Sequence, residues 1–139
     1  LPEPIFIPDE YVNDIDVKIS LYKRIALITS YQEKENIIVE IIDRFGSLPQ
    51  EVENLFKLIE IKILCYQQKI EQIDFGTKGI LISFFQNKPN NPQKLLELNL
   101  NNKHSKIKIR PDNKVFYDFE GFLYDDRFSL VKSIIKLIS

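Results

Sequence analysis

The sequence has no methionine and no tryptophan, one cysteine, one histidine, four glycines and a single alanine, Ala26. One cysteine makes neither an internal disulfide nor a multi-cysteine metal site, and it points to a reducing compartment. Four glycines are too few for the loops that cradle phosphates, which need several at fixed spacing. No apolar run approaches the ~20 residues of a membrane-spanning helix, and no charged-then-apolar leader opens the chain. Excess charge is missing too, since 19 Lys+Arg face 20 Asp+Glu for a net of -1. That balance argues against a general affinity for nucleic acid or an anionic membrane. Without a methionine even at Leu1, the chain is expected to be a piece of a longer polypeptide. Isoleucine, lysine and asparagine are abundant while arginine appears four times. This reflects a coding bias and lowers the weight of any single isoleucine or lysine.

What is present suffices for one compact domain over residues 1–139, burying about 68% of the surface its unfolded chain would expose. The opening, Leu1-Pro2-Glu3-Pro4-Ile5-Phe6-Ile7-Pro8, is proline-punctuated and reads as an edge strand or strap. A helix from about Asp14 to Ile28 carries Ile15, Ile19, Tyr22, Ile25 and Ala26 on one face, with Val17, Leu21 and Ile28 widening it and Asn13 or Asp14 as its cap. A second, from about Glu33 to Phe45, places Ile37, Ile38, Ile41, Ile42 and Phe45 inward. Glu33, Asn36, Glu40 and Asp43 face outward, and Gly46 stands at the C-terminal cap. Ser47 with Gln50 matches a capping box for a third helix, about Pro49 to Lys69.

Periodicity then shifts from 3.6 to 2. Ile73 and Phe75, a Gly76-Thr77-Lys78-Gly79 turn, and Ile80, Ile82 and Phe84 predict a hairpin. A short helix follows around Gln93 to Leu100, then a second hairpin of Lys106–Arg110 and Val115–Phe119. A closing helix capped by Asp125 or Asp126 turns Phe128, Val131, Ile134, Ile135 and Ile138 inward. The order predicts an α+β fold: N-terminal helices packed with a small antiparallel sheet of two hairpins, and a closing C-terminal helix.

Chemistry-bearing constellations are sparse. Gly76-Thr77-Lys78-Gly79 lacks the spacing and the Lys-Ser/Thr ending of a nucleotide-binding loop. Cys65 falls on an apolar helical stripe, where an inert buried thiol is expected, and nothing brings His104 to it. Asp125 and Asp126 are explained by the helix dipole, and Asp118 and Glu120 have no evident catalytic partner. No enzyme activity, metal or cofactor is expected. Lys106, Lys108 and Arg110, with Lys103 preceding them, would line one strand face that could meet phosphates, although no aromatic residue interleaves there as a stacking platform. That basic face is the alternative; the leading candidate is Glu40 and Asp43, spaced i, i+3 opposite the isoleucine stripe, an outward acidic pair suited to a basic partner surface.

Two stretches carry a resemblance. Ile7-Pro8-Asp9-Glu10-Tyr11-Val12, leading through Asp16 to Leu21-Tyr22-Lys23-Arg24-Ile25, resembles the opening of the C-terminal domain of the bacterial transcription-repair coupling factor. Val39-Glu40-Ile41-Ile42-Asp43-Arg44-Phe45-Gly46, with Leu48-Pro49, Val52 and Leu55, resembles that domain's second signature. The match is specific over residues 7–56. Lys18 stands where the family has an arginine, and residues 87–113 are unusually rich in Asn and Lys. The resemblance implies a cytoplasmic, ATP-driven DNA translocase that acts on stalled RNA polymerase, with its motor outside the present residues. Residues 1–139 would be its non-catalytic regulatory domain, docking on the UvrB-like module of the same polypeptide and masking UvrA recruitment. Glu40 and Asp43 match the family's docking residues and would meet arginines. Arg44 and Phe45 match the motif too, Phe45 on the apolar side.

Overall fold

A computed structural model of the chain describes residues 4–100, 106–119 and 127–139. The described elements are α1 (Ile15–Ala26), α2 (Tyr31–Phe45), α3 (Gln50–Gln67), β1 (Ile70–Phe75), β2 (Gly79–Phe84), α4 (Pro92–Leu100), β3 (Ile107–Ile109), β4 (Val115–Asp118) and α5 (Arg127–Ile138). Five helices and an antiparallel sheet of two hairpins make the α+β class that the residue order predicts. The chain forms two compact units, residues 1–63 and 64–139, with α3 running from one into the other.

The first unit is helical and begins with the proline-rich strap. Over its described residues the strap joins no sheet: the Ile7 N–H donates to the Tyr22 hydroxyl at 2.6 Å, and the Pro4 carbonyl accepts from Asn54 at 3.0 Å. Asp14 caps α1, its carboxylate accepting from the Asp16 and Val17 N–H groups, so the first turn's unpaired donors are met. Ser30 caps α2 by accepting from the Glu33 N–H, while the Glu33 carboxylate accepts from the Thr29 N–H. Gly46 ends α2 at φ 91°, a left-handed conformation that suits a residue without a Cβ.

α3 starts differently from the predicted capping box. The Pro49 carbonyl takes the first helical bonds, from Val52 and Glu53, and the Gln50 amide donates to Asn54 at 2.9 Å instead of reaching back to Ser47. Leu21, Ile25, Ile28, Ile41, Val52, Phe56, Ile59 and Ile63 close with Ile7 and Val12 into one apolar core. α1 buries Leu21 and Ile25 and leaves Ile15 69% exposed, with Ile19 and Tyr22 also outside. Its sequence is apolar on two adjoining arcs, and the arc that packs is one step round from the one expected. The same holds for Ile42, which the sequence places inward. The buried arc of α2 centres on Ile41, flanked by Ile37, Ile38 and Phe45, and leaves Ile42 43% exposed.

In the second unit the sheet order is β1-β2-β4-β3, antiparallel throughout. α3 stops at Gln67, two residues short of the expected end, and Ile70 starts β1 and pairs with Phe84. Ile80, Ile82 and Phe84 are buried on one sheet face, together with Val115 and Ile107. α5 buries Val131, Ile134, Ile135 and Ile138 as expected, adds Leu130 to the buried face and leaves Phe128 half-buried; its expected caps, Asp125 and Asp126, lie outside the described residues. A turn over Arg110–Asn113 joins β3 to β4, with the Asn113 N–H on the Arg110 carbonyl at 2.9 Å and Asn113 at φ 67°. Asn tolerates that left-handed position better than most residues.

Candidate docking face

α2 positions the two acidic residues singled out by sequence. Glu40 and Asp43 sit one turn apart on the side away from Ile41. The structure does not leave them alike. Arg24, in the last turn of α1, holds Glu40 in a fork: Nη1 donates to Oε2 at 2.6 Å and Nη2 to Oε1 at 2.8 Å. Arg44, four residues on along α2, adds a contact from Nη1 to Oε2 at 3.4 Å. The Arg24 hydrogen bonds, assisted by its charge, hold the Glu40 carboxyl down to about 2. The same bond raises Arg24 above its ordinary value. Glu40 therefore has internal counterions, so this member of the outward acidic pair expected from the sequence is already engaged within the chain. Asp43 is exposed, and among the described residues it makes no ion pair.

No local spacing links Arg24 to Glu40, sixteen residues away on another helix, so the fork was not legible in the sequence. Arg24 was visible only as the end of the Leu21-Tyr22-Lys23-Arg24-Ile25 run. Val39, 64% exposed, and Ile42 flank the two carboxylates and give this face an apolar component. At its lower edge Arg44 lies over the Phe45 ring at 4.9 Å, and Phe45 meets Tyr11 at 5.9 Å between ring centroids. The Tyr11 hydroxyl donates to the Gly46 carbonyl at 2.6 Å, so Phe45 and the helix end are fixed from behind. What this arrangement can do is bind. It offers one open carboxylate, one carboxylate already held by guanidinium groups, and two exposed aliphatic side chains. It has no nucleophile and no acid–base pair.

The alternative basic face is in the second unit. β3 carries Lys106 to its N-terminal side, Lys108 within it and Arg110 just beyond, alternating with Ile107, which is buried, and Ile109, which is half-buried. Lys103 and His104 lie outside the described residues. Lys108 pairs directly with Phe116 of β4, and the Arg110 guanidinium stands 5.6 Å from that ring. The sequence reading expected no aromatic residue on this face. Alternation along β3 itself carries no ring, and the neighbouring strand supplies it. Phe116 in turn covers Gly79, where any Cβ would meet its Cζ at 2.5 Å.

Elsewhere the constellations stay apart. Cys65 is half-buried in α3, and burial pushes its thiol up to about 11, which keeps it protonated and unreactive near neutral pH. Asp118 lies in β4, and Glu120 falls outside the described residues. A cleft of about 400 Å³ opens between α4 and the β3–β4 turn, lined by Pro89, Pro92, Leu96, Ile109, Arg110 and neighbours. Its lining carries no thiol, imidazole or carboxylate. Among the described residues no three His, Cys, Asp or Glu gather as a metal site would need, and no helix is long and apolar enough to cross a membrane.

Comparison with known proteins converges on one family. The family model for the TRCF domain matches residues 1–95. The transcription-repair-coupling factor of Rickettsia bellii is 41% identical over 113 residues, covering 81% of this chain and 10% of that protein. That of Haemophilus influenzae is 39% identical over 95 residues, and that of Escherichia coli 34% over 95 residues; each match covers 68% of this chain and 8% of the relative. The chain thus spans about a tenth of the length of the relatives it matches. A crystal structure of the C-terminal domain of a transcription-repair coupling factor superposes with a TM-score of 0.72. It covers 99% of this chain and 86% of that one at 20% identity, and so shares the fold.

Proposed function

Since this chain belongs to the TRCF domain family, that of the transcription-repair-coupling factors, we propose that residues 1–139 act together as the non-catalytic, C-terminal regulatory domain of such a factor in the bacterial cytoplasm. In this reading the parent protein is an ATP-driven DNA translocase that acts on stalled RNA polymerase in transcription-coupled nucleotide-excision repair. The present domain docks on the UvrB-like module of its own polypeptide and masks the surface that recruits UvrA.

The observation that carries the reading is Asp43. It is an exposed carboxylate without an ion pair among the described residues, one turn from Glu40 and beside the exposed Val39 and Ile42. An anion set among apolar side chains suits an arginine-bearing surface: the charges set orientation and encounter rate, and the aliphatic groups supply buried area. The decisive measurement is affinity of this chain for the UvrB-like module across a salt series. Asp43→Asn and Val39→Ser should each weaken binding, and the salt dependence should shrink in Asp43→Asn. Affinity unchanged by both would remove this face from the mechanism. In the full-length factor the same substitutions should raise UvrA binding, because the masked state is less populated.

Phe116 beside Lys108 and Arg110 supports a second reading, an accessory nucleic-acid-binding face that also uses Lys103 and Lys106. A gel shift with single-stranded and duplex DNA at low salt separates the two. Binding lost on neutralising these four cations would favour it over protein docking.

A further inference from the structure

Both oxygens of Glu40 are engaged within the chain, by Arg24 at 2.6 and 2.8 Å and by Arg44 at 3.4 Å. A carboxylate offers about four acceptor sites, so three are taken. The two carboxylates Glu40 and Asp43 and the two guanidinium groups Arg24 and Arg44 sum to zero charge. A cationic partner therefore meets an open Asp43 and an occupied Glu40, and no doubly anionic patch.

We propose that Arg24 sets the affinity of this surface by competing, within the chain, for Glu40: a partner guanidinium engages Asp43 first and completes its contact by displacing Arg24. The inference rests on the docking reading above. Its physical basis is that the internal and the intermolecular contact are of one kind, a guanidinium fork on a carboxylate. Exchanging one for the other leaves the Glu40 contact nearly balanced. Net affinity then comes from Asp43 and from the aliphatic neighbours Val39 and Ile42, which makes docking weak and readily reversed. The exchange needs no unfolding, because the side chains of Arg24 and Glu40 are 43% and 37% exposed. Once displaced, Arg24 returns its charge to water.

The test is affinity of this chain for the UvrB-like module at low salt, with Arg24→Gln, Arg24→Lys, Asp43→Asn and Glu40→Gln compared. Arg24→Gln should bind about two- to fivefold tighter, the range spanned by an exposed ion pair. Arg24→Lys keeps the charge and loses the fork, so it should fall between wild type and Arg24→Gln. The gain should vanish when Arg24→Gln is combined with Glu40→Gln. Equal or weaker binding by Arg24→Gln, while Asp43→Asn still weakens it, would overturn the competition and leave the docking face standing. No change in Asp43→Asn and Glu40→Gln would remove the face and the competition together. Should Arg24→Gln fail to fold, nitrogen resonances of the wild-type Arg24 guanidinium decide. They should move to solvent-like positions when the partner binds, and resonances that stay in place would overturn the proposal.

Discussion

The side-chain amide of Asn54 donates to the carbonyl of Pro4 at 3.0 Å, across fifty residues of sequence. Asn54 is 2% exposed, and its carbonyl oxygen accepts from Gln50 at 2.9 Å, so both ends of the amide are used. A buried amide on the core side of an amphipathic helix costs free energy unless it is bonded this way. The bond helps to fasten the strap that brings Ile7 and Val12 into the core. Asn54→Ala should therefore cost about 1–2 kcal/mol in chemical denaturation and make the segment before Ile7 more sensitive to proteolysis. An isosteric Asn54→Leu would restore volume without restoring the strap. Full stability and full protease resistance in both variants would show that the strap is held by its apolar residues alone.

Gly79 answers a different constraint, close approach of backbone. A Cβ there would stand 2.2 Å from the Tyr117 carbonyl oxygen and 2.5 Å from Phe116 Cζ. The ring can rotate away, whereas the carbonyl belongs to the β2–β4 ladder and moves only with the sheet. Gly79→Ala should lower stability by at least the roughly 1–3 kcal/mol typical of overpacking, read as a fall in melting temperature. Removing the ring with Phe116→Ala should recover little of the loss, because the backbone clash remains. Full recovery in the double variant would place the constraint on the aromatic ring instead.

The sequence carried the element order well where one period ruled. The first hairpin was legible because alternation and a clear turn left one arrangement, and the α2 and α5 stripes were legible except at Ile42, which is exposed, and Phe128, which is half-buried. Boundaries and faces failed where two patterns overlapped. Ile70 falls at helical spacing from Ile63 and Tyr66 of α3 as well as it opens β1, and the chain takes the strand once Lys69 turns to φ 58°. α1 is apolar on adjoining arcs, so periodicity could not say which would pack. The docking face was half legible. Helical spacing put Glu40 and Asp43 outward, but the Arg24 fork depends on how α1 lies against α2, and no local pattern encodes that.

The fork also ties stability to pH. Arg24 holds the Glu40 carboxyl at about 2 in the folded chain, against an ordinary value of 4.5. A folded value below the unfolded one means that the contact stabilises the fold fully above about pH 4.5. Its contribution fades as pH falls from there through 2, where the folded carboxyl takes up its proton. Because both side chains are substantially exposed, water screens the pair, and its size is about 0.2–1 kcal/mol, well below what the displacement alone would suggest. Denaturation of wild type and Glu40→Gln at pH 7, 4 and 2.5 isolates this one group from the other carboxylates. The stability difference should be largest at pH 7, smaller at pH 4 and smallest near pH 2.5, and salt should reduce it at pH 7. A difference that stayed constant from pH 7 to 2.5 would mean that Arg24 holds Glu40 by packing of its stem, with its charge contributing nothing.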